Sequence, residues 1–289
     1  MKPSTSDLLK KYNIKLKKSL GQNLLLDPNI NRKMTEVAGL GPADIVFEVG
    51  AGTGELTELI ARRARAVLTV ETDSRFEPLL HERFEQNSKV ITFIGDILKH
   101  PVKELVDRLL PEATALKMVS NLPYYITSPV LMHFLESEAE FVSLTVMVQK
   151  EVAERIVAEP GGKDYGLLSI ACRLYARPFI AHTVSANCFR PRPKVDSAIV
   201  HFPIRKDMKL DPEERQLLFK IVRAAFGQRR KKLVNALAPL AGSALPGKEA
   251  LPQLLEQCGI RPDSRAETVP VKAFIRLATL AASGESRQG

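Results

Sequence analysis

The chain has 289 residues, 45% of them hydrophobic, enough to bury one large core and a smaller second one. No run of about 18 uncharged apolar residues occurs, and residues 1–20 mix lysines with Asp7 instead of forming an apolar leader, so a cytoplasmic protein with no membrane span is expected. Cys172, Cys188 and Cys258 lie too far apart for zinc spacing or a disulfide framework, while the net charge of +9 gathers at Lys10, Lys11, Lys15, Lys17 and Lys18 and at Arg229, Arg230, Lys231 and Lys232, a pattern that attracts polyanions.

Residues 42–148 alternate short apolar runs with longer mixed segments, which predicts βαβ units and a mainly parallel sheet. A strand over Asp44–Val49 leads into the turn Gly50–Gly54 and a helix over Glu55–Arg65. Ala66–Val70 is the next strand and ends at Glu71. Lys89–Ile94 stops at Gly95-Asp96, Leu116–Ser120 stops at Asn121, and Phe141–Val148 is a fifth strand. Each residue with useful chemistry thus falls at the carboxyl end of a strand, the edge where open α/β sheets bind ligands. Beyond Lys150 the pattern predicts a helix to about Ala158, a turn at Glu159–Lys163, a helix from about Gly166, the proline-rich stretch Phe189–Lys194 and a strand over Ser197–Phe202. A catalytic domain over residues 1–204 is expected to give way to a small helical domain over 205–289. There Asp211 as N-cap, Pro212 and Glu214 predict a helix from Pro212 to Leu237, ending before Pro239.

The segment Glu48-Val-Gly-Ala-Gly-Thr-Gly54 sits between a predicted strand and helix, where glycines allow a tight turn and close approach to a ligand. Its alternating G-x-G-x-G spacing departs from the G-x-G-x-x-G fingerprint of dinucleotide enzymes and favours S-adenosylmethionine. Glu71 can accept from both ribose hydroxyls of such a cofactor, and Asp96 from its adenine amine. Asn121-Leu122-Pro123-Tyr124 supplies the reaction type. An adenine amine is a poor nucleophile because its lone pair is delocalised into the ring. The Asn121 side-chain oxygen and the Leu122 carbonyl can each accept one N–H and localise it, with Pro123 fixing the backbone and Tyr124 stacking on the base. The target base must be unpaired or flipped out, and Phe189 is the candidate for its second stacking face. Alone, the tetrad would also suit a DNA or protein amide methylase. No metal is required.

Taken together, Gly21–Asp27, Glu48–Gly54, Glu71, Gly95-Asp96, Asn121–Tyr125, Val148–Ala153, Phe189–Ser197 and Phe226–Lys232 resemble the ribosomal RNA adenine dimethyltransferase family, in particular its bacterial small-subunit type. The resemblance covers nearly the whole chain, with Leu24 where many members carry Phe. It implies a Rossmann-like α/β methyltransferase sheet with a helical C-terminal domain that helps engage the particle. It also implies cofactor contacts at Asn23, Leu25, Gly50, Gly52, Glu71, Asp96, Ile97 and Asn121, and a target adenosine held between Tyr124 and Phe189. The implied reaction dimethylates two adjacent adenosines in a hairpin loop near the end of small-subunit rRNA, within an immature subunit; the charge of Arg229, Arg230, Lys231 and Lys232 marks that run as the expected RNA contact, and a monomer is expected. A methyltransferase of large-subunit rRNA and an assembly factor whose binding matters more than its catalysis remain alternatives.

Overall fold

The computed structural model describes residues 5–16, 22–207 and 210–283, so Lys17 and Lys18 of the first basic cluster, and Gly21, lie outside the described residues. The chain divides into two units, Met1–Ala153 with Ala176–Ile204, and Glu154–Tyr175 with Arg205–Gly289.

The first unit opens with α1 (Thr5–Lys11), β1 (Leu24–Leu25) and α2 (Pro28–Val37). It continues with β2 (Ile45–Val49), α3 (Glu55–Arg63), β3 (Ala66–Glu71), α4 (Glu77–Phe84), β4 (Val90–Ile94), α5 (Val102–Leu109), β5 (Leu116–Asn121), α6 (Thr127–Leu135) and β6 (Phe141–Gln149). Helix α7 (Lys150–Val157) carries the chain out, α8 (Leu167–Tyr175) follows, and β7 (Phe179–Val184), β8 (Phe189–Arg190) and β9 (Ser197–Pro203) return it. The seven-stranded sheet has the order β4-β3-β2-β5-β6-β9-β7. Strands β2 to β6 are parallel, as their apolar runs predict, and β9 and β7 join antiparallel. All five residues of β2 are buried, the mark of a strand covered on both faces. Phe47 on β2 meets Phe134 of α6 edge to face at 5.0 Å and Phe141 of β6 at 6.5 Å, locking the sheet to its covering helix.

Because β3 and β4 lie on one side of β2 and β5 and β6 on the other, the strand order reverses between β2 and β5. This switch point opens a crevice at the carboxyl ends of the strands, where Gly50, Glu71, Asp96 and Asn121 all fall. The predicted strands match the observed ones to within a residue. Strand β7 was not expected, and its composition explains why: it lies at the sheet edge, most of its side chains are exposed or half-buried, and a bulge interrupts it between Ile180 and His182.

The second unit adds α9 (Pro212–Gly227), α10 (Leu233–Leu237), α11 (Leu251–Gln257) and α12 (Val271–Ala282). The capping box forms as its residues predict: Glu214 N donates to Asp211 Oδ1 at 2.8 Å, and Asp211 N to Glu214 Oε2 at 3.1 Å. The single helix expected from Pro212 to Leu237 is instead two, because α9 stops at Gly227 and Gln228 turns the backbone to φ −132°. The new helix start is held from elsewhere in the unit, by Leu233 N donating to Ser264 O at 2.7 Å. Residues 154–175, expected in the catalytic domain, pack with the helical unit. Tyr165 is fully buried there, donating to Val269 O at 2.9 Å, with its ring edge-on to Phe226 at 5.9 Å. Among the described residues no helix is long and apolar enough to cross a membrane.

Candidate active site

Strand β2 delivers the chain to Gly50, Gly52 and Gly54, all with positive φ, so the loop curls back over the strand ends in a conformation L side chains resist. At Gly54 a Cβ would lie 2.7 Å from the Phe84 ring, and at Gly52 it would press Leu24 Cδ2 at 3.3 Å. The loop is fastened to β3: Gly52 N donates to Glu71 Oε2 at 2.8 Å and Asp73 N to Glu71 Oε1 at 2.9 Å. Burial raises the Glu71 carboxyl above its ordinary range against the pull of these amides. Below the loop, Glu48 is fully buried and receives Thr57 Oγ1 at 2.5 Å, tying β2 to the first turn of α3. Its desolvation pushes the carboxyl up to about 8.

Asp96 closes β4 and caps the short turn Ile97–Lys99, its Oδ1 accepting from Leu98 N at 3.1 Å. Asn121 ends β5 beside β6, and Leu122 N donates to Met147 O at 3.2 Å, which sets the direction in which the tetrad leaves the sheet. Pro123, at φ −58° and ψ 130°, then turns the chain into the helical turn Tyr124–Ile126. The Tyr124 hydroxyl is hydrogen-bonded to the hydroxyl of Ser197, the fully buried first residue of β9, at 2.6 Å. Burial raises the Tyr124 phenol, so it stays protonated over the ordinary pH range.

Of the residues singled out in the sequence, Asn23, Gly50, Gly52, Glu71, Asp96, Ile97, Asn121, Leu122, Pro123 and Tyr124 line one cleft. Leu25 and Phe189 do not line it. They face each other across the two-stranded pair β1–β8 and are buried in one apolar cluster with Ile30, Met34 and Ile199. Phe189, 4% exposed, is a core residue here and not an open stacking face. Leu24, the neighbour that alternation turns to the other side, lines the cleft in place of Leu25. The sequence reading also missed Gln22, Phe76, Leu98 and Tyr125 on the cleft wall and Ser197 behind Tyr124. The doubled aromatic Tyr124-Tyr125 was a usable signal, whereas nothing local marks Phe76. In the helical unit the basic run divides. All four are exposed, but Arg229 alone is shown tied into the unit: its Nη2 donates to the carbonyls of Lys163 at 2.8 Å and Tyr165 at 3.0 Å, pairs with Glu267 at 3.5 Å, and its guanidinium lies 5.8 Å over the Phe226 ring.

The cleft suits the cofactor that the glycine spacing suggests. Its loop is kept free of Cβ atoms on the side facing Leu24, and two strand-end carboxylates and an amide stand around it as partners for ribose hydroxyls and an adenine amine. Comparisons with known proteins agree. The family model described as ribosomal RNA adenine dimethylase matches residues 13–283. The ribosomal RNA small subunit methyltransferase A of Shouchella clausii is 40% identical over 274 residues, 94% of this chain and 92% of that protein. The protein of the same name from Alkaliphilus oremlandii is 40% identical over 270 residues, 93% of each chain. Among solved structures, a dimethyladenosine transferase from Plasmodium falciparum superposes with a TM-score of 0.75 at 24% identity over 91% of this chain and 98% of that one, a likeness of fold. The 23S rRNA methyltransferase ErmE superposes with a TM-score of 0.67 at 25% identity over 89% of this chain and 98% of that one.

Proposed function

Because the chain belongs to the ribosomal RNA adenine dimethylase family, we propose that it dimethylates two adjacent adenosines in a hairpin loop near the 3′ end of small-subunit rRNA, within an immature small subunit. The chain is an S-adenosylmethionine-dependent rRNA adenine dimethyltransferase. The choice of small-subunit RNA is supported by relatives named small subunit methyltransferase A at 40% identity over nearly the full length. The observation that carries the reading is that Asn121–Tyr124 line the same cleft as Gly50, Gly52, Glu71 and Asp96, which supports one shared site for target base and cofactor.

When bound, S-adenosylmethionine supplies an electrophilic methyl group on a sulfonium. Glu71 would hold its ribose hydroxyls and Asp96 its adenine amine, with Asn23, Gly50, Gly52, Ile97 and Asn121 around it. The Asn121 Oδ1 and the Leu122 carbonyl accept the two N–H groups of the target amine and localise its lone pair. Tyr124, its ring fixed through Ser197, offers the base a stacking face. A nitrogen made cationic by alkylation releases its proton readily, so the site requires no strong base. Arg230, Lys231 and Lys232 would meet the phosphates of the RNA.

Incubation with labelled S-adenosylmethionine and immature small subunits tests this reading, the expected product being dimethyladenosine in the small-subunit rRNA. Label found only in large-subunit RNA, or no dimethyladenosine where a relative produces it, would overturn it.

A further inference from the structure

Asp73 does not line the cleft, yet it is buried at 6% exposure and its carboxylate collects bonds from two directions. Gln22, on the cleft wall, donates Nε2 to Asp73 Oδ2 at 2.8 Å. Arg75 donates Nε to Asp73 Oδ1 at 2.8 Å and a second bond through Nη2 to Oδ2, and this pairing holds the carboxyl well below the usual carboxylate range. The remaining arm of the same guanidinium, Nη1, reaches back to the Lys15 carbonyl at 2.8 Å. One residue earlier, Ile14 is buried among Ala51 of the glycine loop and Phe76, Leu79, Leu80 and Phe84. The backbone amide of Asp73 meanwhile donates to Glu71, whose other oxygen receives Gly52. A continuous chain of bonds therefore runs from the N-terminal arm, at Lys15 and again at Gln22, through Arg75 and Asp73 to the glutamate at the acidic corner of the cleft.

We propose that Asp73 and Arg75 are positioning residues that clamp the N-terminal arm onto the cofactor cleft and thereby hold the wall formed by Gln22, Asn23 and Leu24 in place. The two bear on the ligand only through residues they hold. Charge explains the choice of side chains: the Asp73 carboxylate is buried while the Arg75 guanidinium is 32% exposed, and a bidentate ion pair fixes two bonds in one geometry where a single neutral hydrogen bond would fix one. The simpler role for Asp73 is capping of the turn Ser74–Phe76, which its Oδ1 also does by accepting from Arg75 N at 3.2 Å. Arg75→Met separates the two roles, because it keeps the cap and removes both the ion pair and the Lys15 bond.

The proposal rests on the cofactor reading of the cleft. Calorimetric titration of the full chain with S-adenosylhomocysteine is expected to give a Kd about tenfold weaker for Arg75→Met and for Asp73→Asn, and a smaller loss for Arg75→Lys. In the same variants, amide exchange is expected to quicken at residues 14–16 and 22–25 and to stay unchanged in β5. Methylation should show a raised KM for S-adenosylmethionine with kcat changed by no more than about twofold. A wild-type chain that bound no S-adenosylhomocysteine would overturn the cofactor reading and the clamp with it. Normal wild-type binding, with Kd and exchange unchanged in Arg75→Met, would overturn the clamp alone.

Discussion

At the scale of the residue, the cleft presents polar groups whose backbone positions the strand ends set. Asn121 is the sharpest case, standing at the end of β5 with its position set by pairing to β6. Asn121→Ala should lower methyl transfer by about 10²–10³-fold, the usual loss for one preorganised polar group, while retention of ribosomal particles on a filter changes by no more than about twofold. Loss of particle binding in parallel would instead make Asn121 a docking residue. Glu48 makes a different prediction. Burial lifts its carboxyl from 4.5 to about 8, so between those values the folded chain holds a proton that the unfolded chain has released. Its contribution to stability is therefore complete below about pH 4.5 and is lost as pH rises through about 8. Glu48→Gln keeps the shape without the charge, and its Tm relative to wild type should rise by a few degrees on going from about pH 5 to about pH 9. A parallel pair of Tm curves would show that Glu48 is ionised in the fold throughout.

At the scale of the element, the glycine loop and its helix act as one piece. Gly54 stands at φ 78° immediately before α3, and a methyl group there would collide with the Phe84 ring on α4 at 2.7 Å. Gly54→Ala should thus cost about 1–3 kcal/mol in urea denaturation and weaken S-adenosylhomocysteine binding, because strain at this turn must move the loop or the ring. Unchanged stability together with unchanged affinity would mean that the loop relaxes freely. The identity of α3, its glycine entry and the strands on either side were all legible in the sequence, since local spacing and apolar runs encode them. The edge strand β7 and the pair β1–β8 were not. Their residues are half-exposed or too few to show a period, and they become strands only because β9 and a segment more than a hundred residues distant supply partners.

At the scale of the whole molecule, the net charge of +9 points to a polyanion, but its residues do not act alike. Replacing Arg230, Lys231 and Lys232 together with glutamine should reduce the slope of log K against log salt for RNA binding by about 2, with S-adenosylhomocysteine affinity unchanged. An unaltered slope would leave the run as a solvated surface. Arg229→Ala belongs to a different class of experiment. It removes bonds to two carbonyls and a stacked ring in the helical unit, so its first effect should be on thermal stability.

The sequence by itself determined the parallel sheet, the glycine loop, the acids at successive strand ends and the tetrad, because each is written in neighbouring residues whose spacing fixes backbone geometry and whose chemistry is local. Only the tertiary structure decided which side of the Leu24-Leu25 pair faces the cleft, that Phe189 is core and Tyr124 is moored to Ser197, and that residues 154–175 and Arg229 serve the helical unit. Those outcomes depend on contacts between segments far apart in the chain, and a side chain's burial and partners are properties of the packing around it.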